Sequence, residues 1–304
     1  MDEERYSAAW SGSVLWVVRF SQFGVTRKID SGALSTEAGA DKGRVKAQKV
    51  LLDAPEYDAI AKHYADVRRW VGLRTVPAEF LGTSVHVCKR DRVDELTAYI
   101  ADARGTLNTL LTTFSAFYDA RVNQARQSLG SLFDPSQYPR WSDVRDRYAI
   151  RSRFISVGPA SGLGASISED ELSGFVTDWR ATVDDARAAL RAEFAGLVGY
   201  FADRLRDKPD GARSRFGGNF GKLETLREFC DLFSARDLSS DGDLRAMAER
   251  VKGMLAGVRA DTLRDSASMR GSMAASFAEV KREAGSLIVT SRRAFDFGDD
   301  AAVS

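Results

Sequence analysis

The stretch VDELTAYIADARGTLNTLLTTFSAFYDARVNQARQSLG, residues 93–130, decides the fold class of this chain. Its apolar residues recur in steps of three and four, the spacing that places side chains on one face of an α-helix. These positions are Val93, Leu96, Ile100, Ala103, Leu107, Leu110, Phe114 and Phe117. The pattern continues with a shift of phase to Leu129, which is followed by Gly130, a residue type that often ends helices. The stretch predicts a helix from Asp91 to Leu129, about 58 Å long at about 1.5 Å per residue.

A second segment has a similar stripe. It begins at Ser168, where the run SEDE offers an N-cap followed by acidic residues in the first turn. Its apolar positions are Leu172, Val176, Trp179, Val183, Ala186, Leu190, Phe194, Leu197, Phe201 and Leu205. Because the two helices match in length and striping, we expect them to pair antiparallel as a coiled-coil-like hairpin.

Strand patterns flank these helices. Residues 13–21 and 23–30 are rich in β-branched and aromatic side chains and predict a β-hairpin. Residues 83–88 and 151–158 alternate as strands, and each precedes one of the long helices. Together the four segments predict one small antiparallel sheet, whereas the Gly/Ser/Ala-rich residues 31–39 predict a loop.

The predicted fold is α+β, mainly α: a small antiparallel sheet, a long antiparallel helical hairpin and a C-terminal helical bundle. Residues 1–90 form an N-terminal region of hairpin, helix and strand, in which 41–72 is helical with a break at Pro55. Residues 91–207 form the long hairpin, and residues 208–304 form the C-terminal helical region.

The C-terminal region shows three helical segments, at 219–235, 241–256 and 268–289. Asp241 and Ser266 stand at the start of two of them and are residue types that cap helices.

Composition limits the classes of function. The 304 residues carry a net charge of +1, so attraction to nucleic acid has to come from local patches rather than from the whole chain. Two cysteines, Cys88 and Cys230, make no disulfide framework and suit a reducing compartment. The start MDEERYSAAW is not a secretory signal, and no apolar run reaches the roughly 20 residues that span a bilayer. We expect a soluble, cytoplasmic protein without a membrane partner.

The stretch RFGGNFGKLE, residues 215–224, resembles a phosphate-binding loop that leads into a helix. A Walker A loop requires G-x-x-x-x-G-K-[ST], so that backbone N–H groups surround the phosphate and a hydroxyl holds magnesium. Here the first glycine, Gly217, stands one place too late, and Leu223 replaces the hydroxyl residue. The stretch therefore predicts a linker and a helix cap rather than a nucleotide site.

Other catalytic patterns also fail. There is no G-x-S-x-G, and His63 and His86 lack a partner pattern for nucleophilic catalysis. His86 and Cys88 share a strand face, but no second pair with zinc-ligand spacing completes a site. The E-x-K motif at 279–281 lies in a helix, and the glycine-rich 158–166 lacks dinucleotide-binding spacing. We expect no catalytic site, no metal and no cofactor, and hence a protein that is not an enzyme.

Nucleic-acid binding is harder to dismiss than these catalytic patterns. The predicted hairpin interleaves aromatic and cationic side chains, as proteins that bind single strands do, and a second Arg/Phe/Gly cluster follows residue 212. The residues predicted to contact nucleic acid are Arg19, Phe23, Arg27, Lys28, Arg213 and Arg215. The alternative is that Trp16, Val18 and Phe20 form the core face of a small sheet, and both interpretations stay open.

Five segments resemble an uncharacterised family of phage and bacterial proteins. They are FGVTRKID (23–30), KVLLDAPEYDAI (49–60), LFDPSQYP (132–139), RFISVGP (153–159) and LREFCDLFSARDLSSDGDL (226–244). Members of that family are encoded near MoxR-like or cobaltochelatase-like AAA ATPases and von Willebrand A proteins. The resemblance implies a role beside a ring ATPase or in phage DNA metabolism, and it supplies no catalytic residues.

Two functions are therefore expected. The first is a non-enzymatic adaptor or scaffold whose long helices bind a protein partner, such as an AAA ATPase, or a second copy of the chain. The second is a single-stranded nucleic-acid-binding protein that uses the basic and aromatic residues of the predicted hairpin.

Overall fold

The computed structural model of this chain describes residues 12–41, 43–156, 169–205 and 221–293. The strands are β1 (Ser13–Ser21), β2 (Thr26–Ile29), β3 (Ala47–Val50), β4 (Val76–Pro77), β5 (Val85–Lys89) and β6 (Ala149–Ile155). The helices are α1 (Gly32–Glu37), α2 (Pro55–Gly72), α3 (Val93–Leu129), α4 (Trp141–Arg145), α5 (Glu169–Leu205), α6 (Gly221–Arg236), α7 (Gly242–Leu255), α8 (Ala260–Asp265) and α9 (Ala267–Arg293). The predicted class, α+β and mainly α, is confirmed.

Strands β4, β5, β1 and β6 form one antiparallel sheet, in that order. Strand β1 lies in the middle and alternates its side chains between two apolar faces. Trp16 and Val18 point into one core, while Leu15 points into another on the opposite face. The sheet is therefore covered on both faces, at least over the part nearest to β5.

The predicted hairpin of residues 13–21 and 23–30 is wrong. β1 pairs with β5 and β6, whereas β2 leaves the sheet and pairs with β3 in a separate two-stranded ribbon. Phe23 and Val25 lie between β1 and β2 and are both buried, so the chain turns into the core instead of folding straight back. Burial of these two apolar side chains favours this path over a tight turn.

The helix predicted over residues 41–72 is shorter than expected. It begins at Pro55, which occupies the first turn, and the preceding residues contain β3. Because a residue before proline is disfavoured in the α conformation, the helix does not extend upstream of that position. The segment 31–39, predicted to be a loop, contains the short helix α1.

The first core lies between the sheet and helices α2 and α3. These two helices run antiparallel, with the rings of Trp70 and Tyr99 stacked at 3.6 Å and His63 Nε2 lying 2.9 Å from the carbonyl oxygen of Ala103. The buried stripe of α3 is formed by Leu96, Ile100, Ala103, Leu107, Leu111, Phe114, Tyr118 and Ala125. Most of the apolar stripe that decided the fold class is thus buried within the chain.

Helix α5 covers the opposite face of the sheet, where Val176 and Trp179 pack with Leu15 and Val87. The second half of α5 runs antiparallel to α9, and together with α6 and α7 these helices enclose the C-terminal core. The ring of Phe201, for example, lies 5.9 Å from that of Phe277.

The expected pairing of the two long helices with each other is therefore wrong: α3 packs on α2 and α5 packs on α9. Both helices contain 37 residues, but the sheet separates their stripes, because each of its faces is apolar and takes one of them.

Helices α6, α7 and α9 correspond to the three predicted C-terminal segments, whereas the short helix α8 was not predicted. The caps predicted at Asp241 and Ser266 are confirmed. Asp241 accepts a hydrogen bond from the backbone N–H of Leu244 at 3.1 Å, and Ser266 accepts one from that of Met269 at 3.2 Å. Gly130 ends α3 with a positive φ of 51°. None of the helices in the described ranges combines the length and the hydropathy that a bilayer crossing requires.

Candidate nucleic-acid interface

Three arginines lie together on one face of the β1–β6 ladder. Arg19 of β1 stands directly opposite Arg151 of β6, and Val17 stands opposite Arg153. Side chains that face each other across an antiparallel pair have Cβ atoms about 4.5–5.5 Å apart, and residues two places along a strand are about 6.8 Å apart. Arg19, Arg151 and Arg153, here called the arginine face, therefore present three guanidinium groups within the reach of one extended ligand.

The arginine face is the part of the sheet that α5 leaves open. The core beneath α5 contains Leu15, Val76, Ala78, Val87, Val176 and Trp179, which places the helix over β4, β5 and the adjoining part of β1. All three arginines are exposed, and Ile155 at the end of β6 keeps 48% of its surface exposed. The arginine face is thus a strip of open sheet with α5 standing beside it.

Over the described ranges, carboxylates leave the charge of this strip unpaired. Several other arginines of the chain bind carboxylates, such as Arg121 with Glu56 at 2.8 Å and Arg191 with Asp241 at 2.6 Å. Among the described residues, no carboxylate forms an ion pair with any member of the arginine face. Adjacent unpaired cations on a surface create a positive potential that attracts anions, even when the net charge of the chain is near zero.

Phe23 and two further arginines lie next to the end of the ladder. The guanidinium of Arg27 lies 5.7 Å from the centre of the Phe23 ring, and that of Arg147 lies 5.5 Å from it. The ring itself is fully buried. The placement of Phe23 therefore does not support the prediction that this ring stacks on a base. The ring belongs to the core, and the guanidinium groups of Arg27 and Arg147 form cation–π contacts with it.

The other predicted residues are dispersed. Arg27 also donates from Nη1 to the carbonyl oxygens of Gly24 and Thr26, and Lys28 is exposed on β2 opposite Gln48. Residues Arg213 and Arg215 lie outside the described residues. Of the six predicted contacts, Arg19 alone among the described ones belongs to the arginine face.

Sequence reasoning missed Arg151 and Arg153. The signal was present in the run Arg-Ser-Arg within a predicted strand, because residues at alternate positions of a strand point to the same face. What the sequence does not show is that this strand pairs with β1 and so brings the two side chains beside Arg19.

The histidine and the two cysteines considered as metal ligands, His86, Cys88 and Cys230, are buried or hydrogen-bonded within the fold. Burial lowers the pKa of His86, whose Nδ1 lies 3.0 Å from the Thr75 hydroxyl. Burial raises the pKa of the Cys88 thiol to about 12 and, together with nearby carboxylates, that of Cys230 to about 12, so both thiols stay protonated. Over the described ranges, no group of three or more His, Cys, Asp or Glu side chains is placed to hold a metal ion.

Comparisons of this chain with protein-family models, with curated proteins and with solved structures find no match. The likeness to the phage and bacterial family stays a prediction. Function is therefore inferred from the geometry of the arginine face and of the strands that carry it.

Proposed function

We propose that this chain binds single-stranded nucleic acid through the arginine face. The supporting observation is the juxtaposition of three exposed guanidinium groups, from two paired strands, that have no carboxylate partner among the described residues. A guanidinium is planar and always charged, and its fork of N–H donors matches the oxygens of a phosphate. Contacts of this kind hold the sugar-phosphate backbone without reading the base sequence.

The shape of the strip favours a single strand over a duplex. Two neighbouring strands with their side chains provide a surface about 10 Å wide, since strands lie about 4.8 Å apart. Helix α5 covers the neighbouring strands β4 and β5 on the same face of the sheet. A strip of this width suits one flexible backbone.

The adaptor hypothesis has lost its original support but is untested. It depended on apolar stripes free to bind a partner, and the stripes of α3 and α5 are mostly buried against the chain's own sheet and helices. Association with an AAA ATPase or with a second copy through these helices would require some other surface.

A titration with labelled oligo-dT, followed by fluorescence anisotropy from about 50 to about 200 mM salt, tests the proposal. The test variant carries Arg19→Gln, Arg151→Gln and Arg153→Gln. Each phosphate contact on a single strand contributes about 0.7 to the slope of log K against log salt, so the test variant should lose about 2 units of slope.

The control variant removes the same charge from exposed arginines on other elements, Arg90→Gln, Arg140→Gln and Arg282→Gln. It should keep the wild-type slope. Absence of salt-dependent binding at micromolar protein, or an unchanged slope in the test variant, refutes the proposed function.

A further inference from the structure

Strand β6, residues 149–155, forms one edge of the four-stranded sheet. The direction of its backbone groups follows from the bonds between β1 and β5. The N–H of Val18 donates to the carbonyl oxygen of Ser84 at 2.9 Å, and that of Arg90 donates to Gly12 at 2.9 Å. Even-numbered residues of β1 are therefore bonded towards β5, and its odd-numbered residues are bonded towards β6.

The register with β1 then fixes which backbone groups of β6 point away from the sheet. Arg151 and Arg153 face odd-numbered residues and are bonded inward, so Ile150, Ser152 and Phe154 direct their N–H and C=O groups outward. The carbonyl oxygen of Ile150 accepts a hydrogen bond from Arg104 Nε at 2.8 Å, which agrees with this direction.

Beyond Ile150, the described residues leave the outer edge of β6 open. In the part of the chain that the structure describes, no group bonds to the outward backbone N–H and C=O of Ser152 or Phe154. An edge strand with unpaired backbone groups is a template for a further strand. The segment Ser152–Phe154, here called the open edge, supplies two donors and two acceptors to such a strand.

The charge beside the open edge selects what can pair with it. Side chains of an added strand that point to the arginine face would lie next to Arg151 and Arg153, at the spacing of neighbouring strands. Carboxylates at alternate positions of that strand would pair with these two cations.

A second copy of the chain is a poor occupant of the open edge. Antiparallel pairing of two β6 strands about Ser152 would place Arg151 of one copy opposite Arg153 of the other. Like charges directly opposite each other destabilise a strand pair, and edge charges of this kind prevent self-association in natural sheets.

We propose that the open edge binds an extended acidic segment of another protein, which adds to β6 as a fifth strand. Main-chain hydrogen bonds to Ser152 and Phe154 hold the segment, and its alternating carboxylates pair with Arg151 and Arg153. The strand uses the edge of β6, and the nucleic acid of the proposed function uses its face. Because they share two arginines, the two ligands compete.

The probe is a labelled peptide with glutamate and valine at alternate positions, measured by fluorescence anisotropy. Ser152→Pro is the test variant: the N–H at this position points outward, so proline leaves the ladder intact but removes a donor and blocks an added strand. Ser152→Ala is the matched control, because it removes only the hydroxyl that lies 3.3 Å from Arg104 Nη2.

We expect Ser152→Pro to weaken peptide binding by about tenfold or more, as the loss of main-chain hydrogen bonds implies, and Ser152→Ala to change it less than about twofold. Both variants keep the arginine face and should bind oligo-dT like the wild type. A version of the peptide with alternate amides N-methylated should bind the unmodified protein at least about tenfold more weakly, and it needs no variant to fold.

Equal binding of the N-methylated peptide, or of the peptide to Ser152→Pro, would mean attraction by charge alone and would overturn the proposal. A dimer that light scattering detects in the wild type and that Ser152→Pro abolishes would overturn it in favour of a second copy. In either case the oligo-dT titration still decides the proposed function separately.

Discussion

Replacement of Phe23 by alanine should act on the stability of the fold and not on nucleic-acid binding. The ring is fully buried, and removal of a buried phenylalanine side chain costs about 3–5 kcal/mol. Its cation–π contacts with Arg27 and Arg147, at 5.7 and 5.5 Å, contribute about 0.5–1 kcal/mol each at partly exposed positions. We expect Phe23→Ala to lower the free energy of unfolding by about 4–7 kcal/mol, as measured by urea denaturation.

The Phe23→Leu variant separates the ring from the apolar volume. Leucine fills most of the site but removes both cation–π contacts, so the expected loss is about 1–3 kcal/mol. At a temperature where Phe23→Leu is folded, its affinity for oligo-dT should match that of the wild type. A variant that keeps its stability but binds oligo-dT more weakly would show that the ring is an accessible stacking surface, and would refute the assignment of Phe23 to the core.

Three further predictions concern stability. Asp241→Ala breaks the largely buried ion pair with Arg191 and removes a helix cap, so urea denaturation should show a loss of about 3–5 kcal/mol in the free energy of unfolding. Asp241→Asn keeps the cap and should lose less stability. Equal losses in the two variants would contradict this prediction. Gly130→Ala places a side chain on a residue with positive φ and should lower the free energy of unfolding by about 1–3 kcal/mol. Gly105→Ala, at an exposed position within α3, should raise it by about 1 kcal/mol. Changes of the same sign in both variants would refute the assignment of Gly130 to the end of the helix. Burial lowers the pKa of His86 below its ordinary 6.5, so the unfolded chain binds the proton more readily than the folded one. The free energy of unfolding should therefore fall as the pH drops below about 6.5. The His86→Gln variant should show a smaller fall, and an unchanged pH profile in this variant would exclude His86 as the cause.

Local sequence signals were sufficient for the elements that depend on local chemistry. The step of three and four residues located α3, and Gly130 marked its end, because helix periodicity and a positive φ are properties of a few consecutive residues. Asp241 and Ser266 were recognised as caps for the same reason.

Strand pairing was not predictable in the same way. Nothing near β2 shows that it pairs with β3, since both strands are four residues long and the choice is made by Phe23 and Val25 entering the core. The arginine face has the same origin. Arg19 and Arg151 become neighbours through a long-range register, and no local pattern in either strand encodes it.

The burial of both long stripes also explains why the proposed binding surface lies on the arginine face. A sheet with two apolar faces needs a cover on each, and α3 and α5 provide these covers from opposite sides. On the α5 side the cover ends before β6. The side chains under α5, such as Leu15 and Val87, are apolar, whereas β6 presents Arg151 and Arg153 at alternate positions on this face. An apolar β6 would require a wider cover, whereas an arginine-bearing β6 tolerates water and attracts anions. The boundary of the core on this face of the sheet is thus also the boundary of the proposed binding surface, and replacement of the arginines by apolar residues would expose a patch prone to association rather than extend the core.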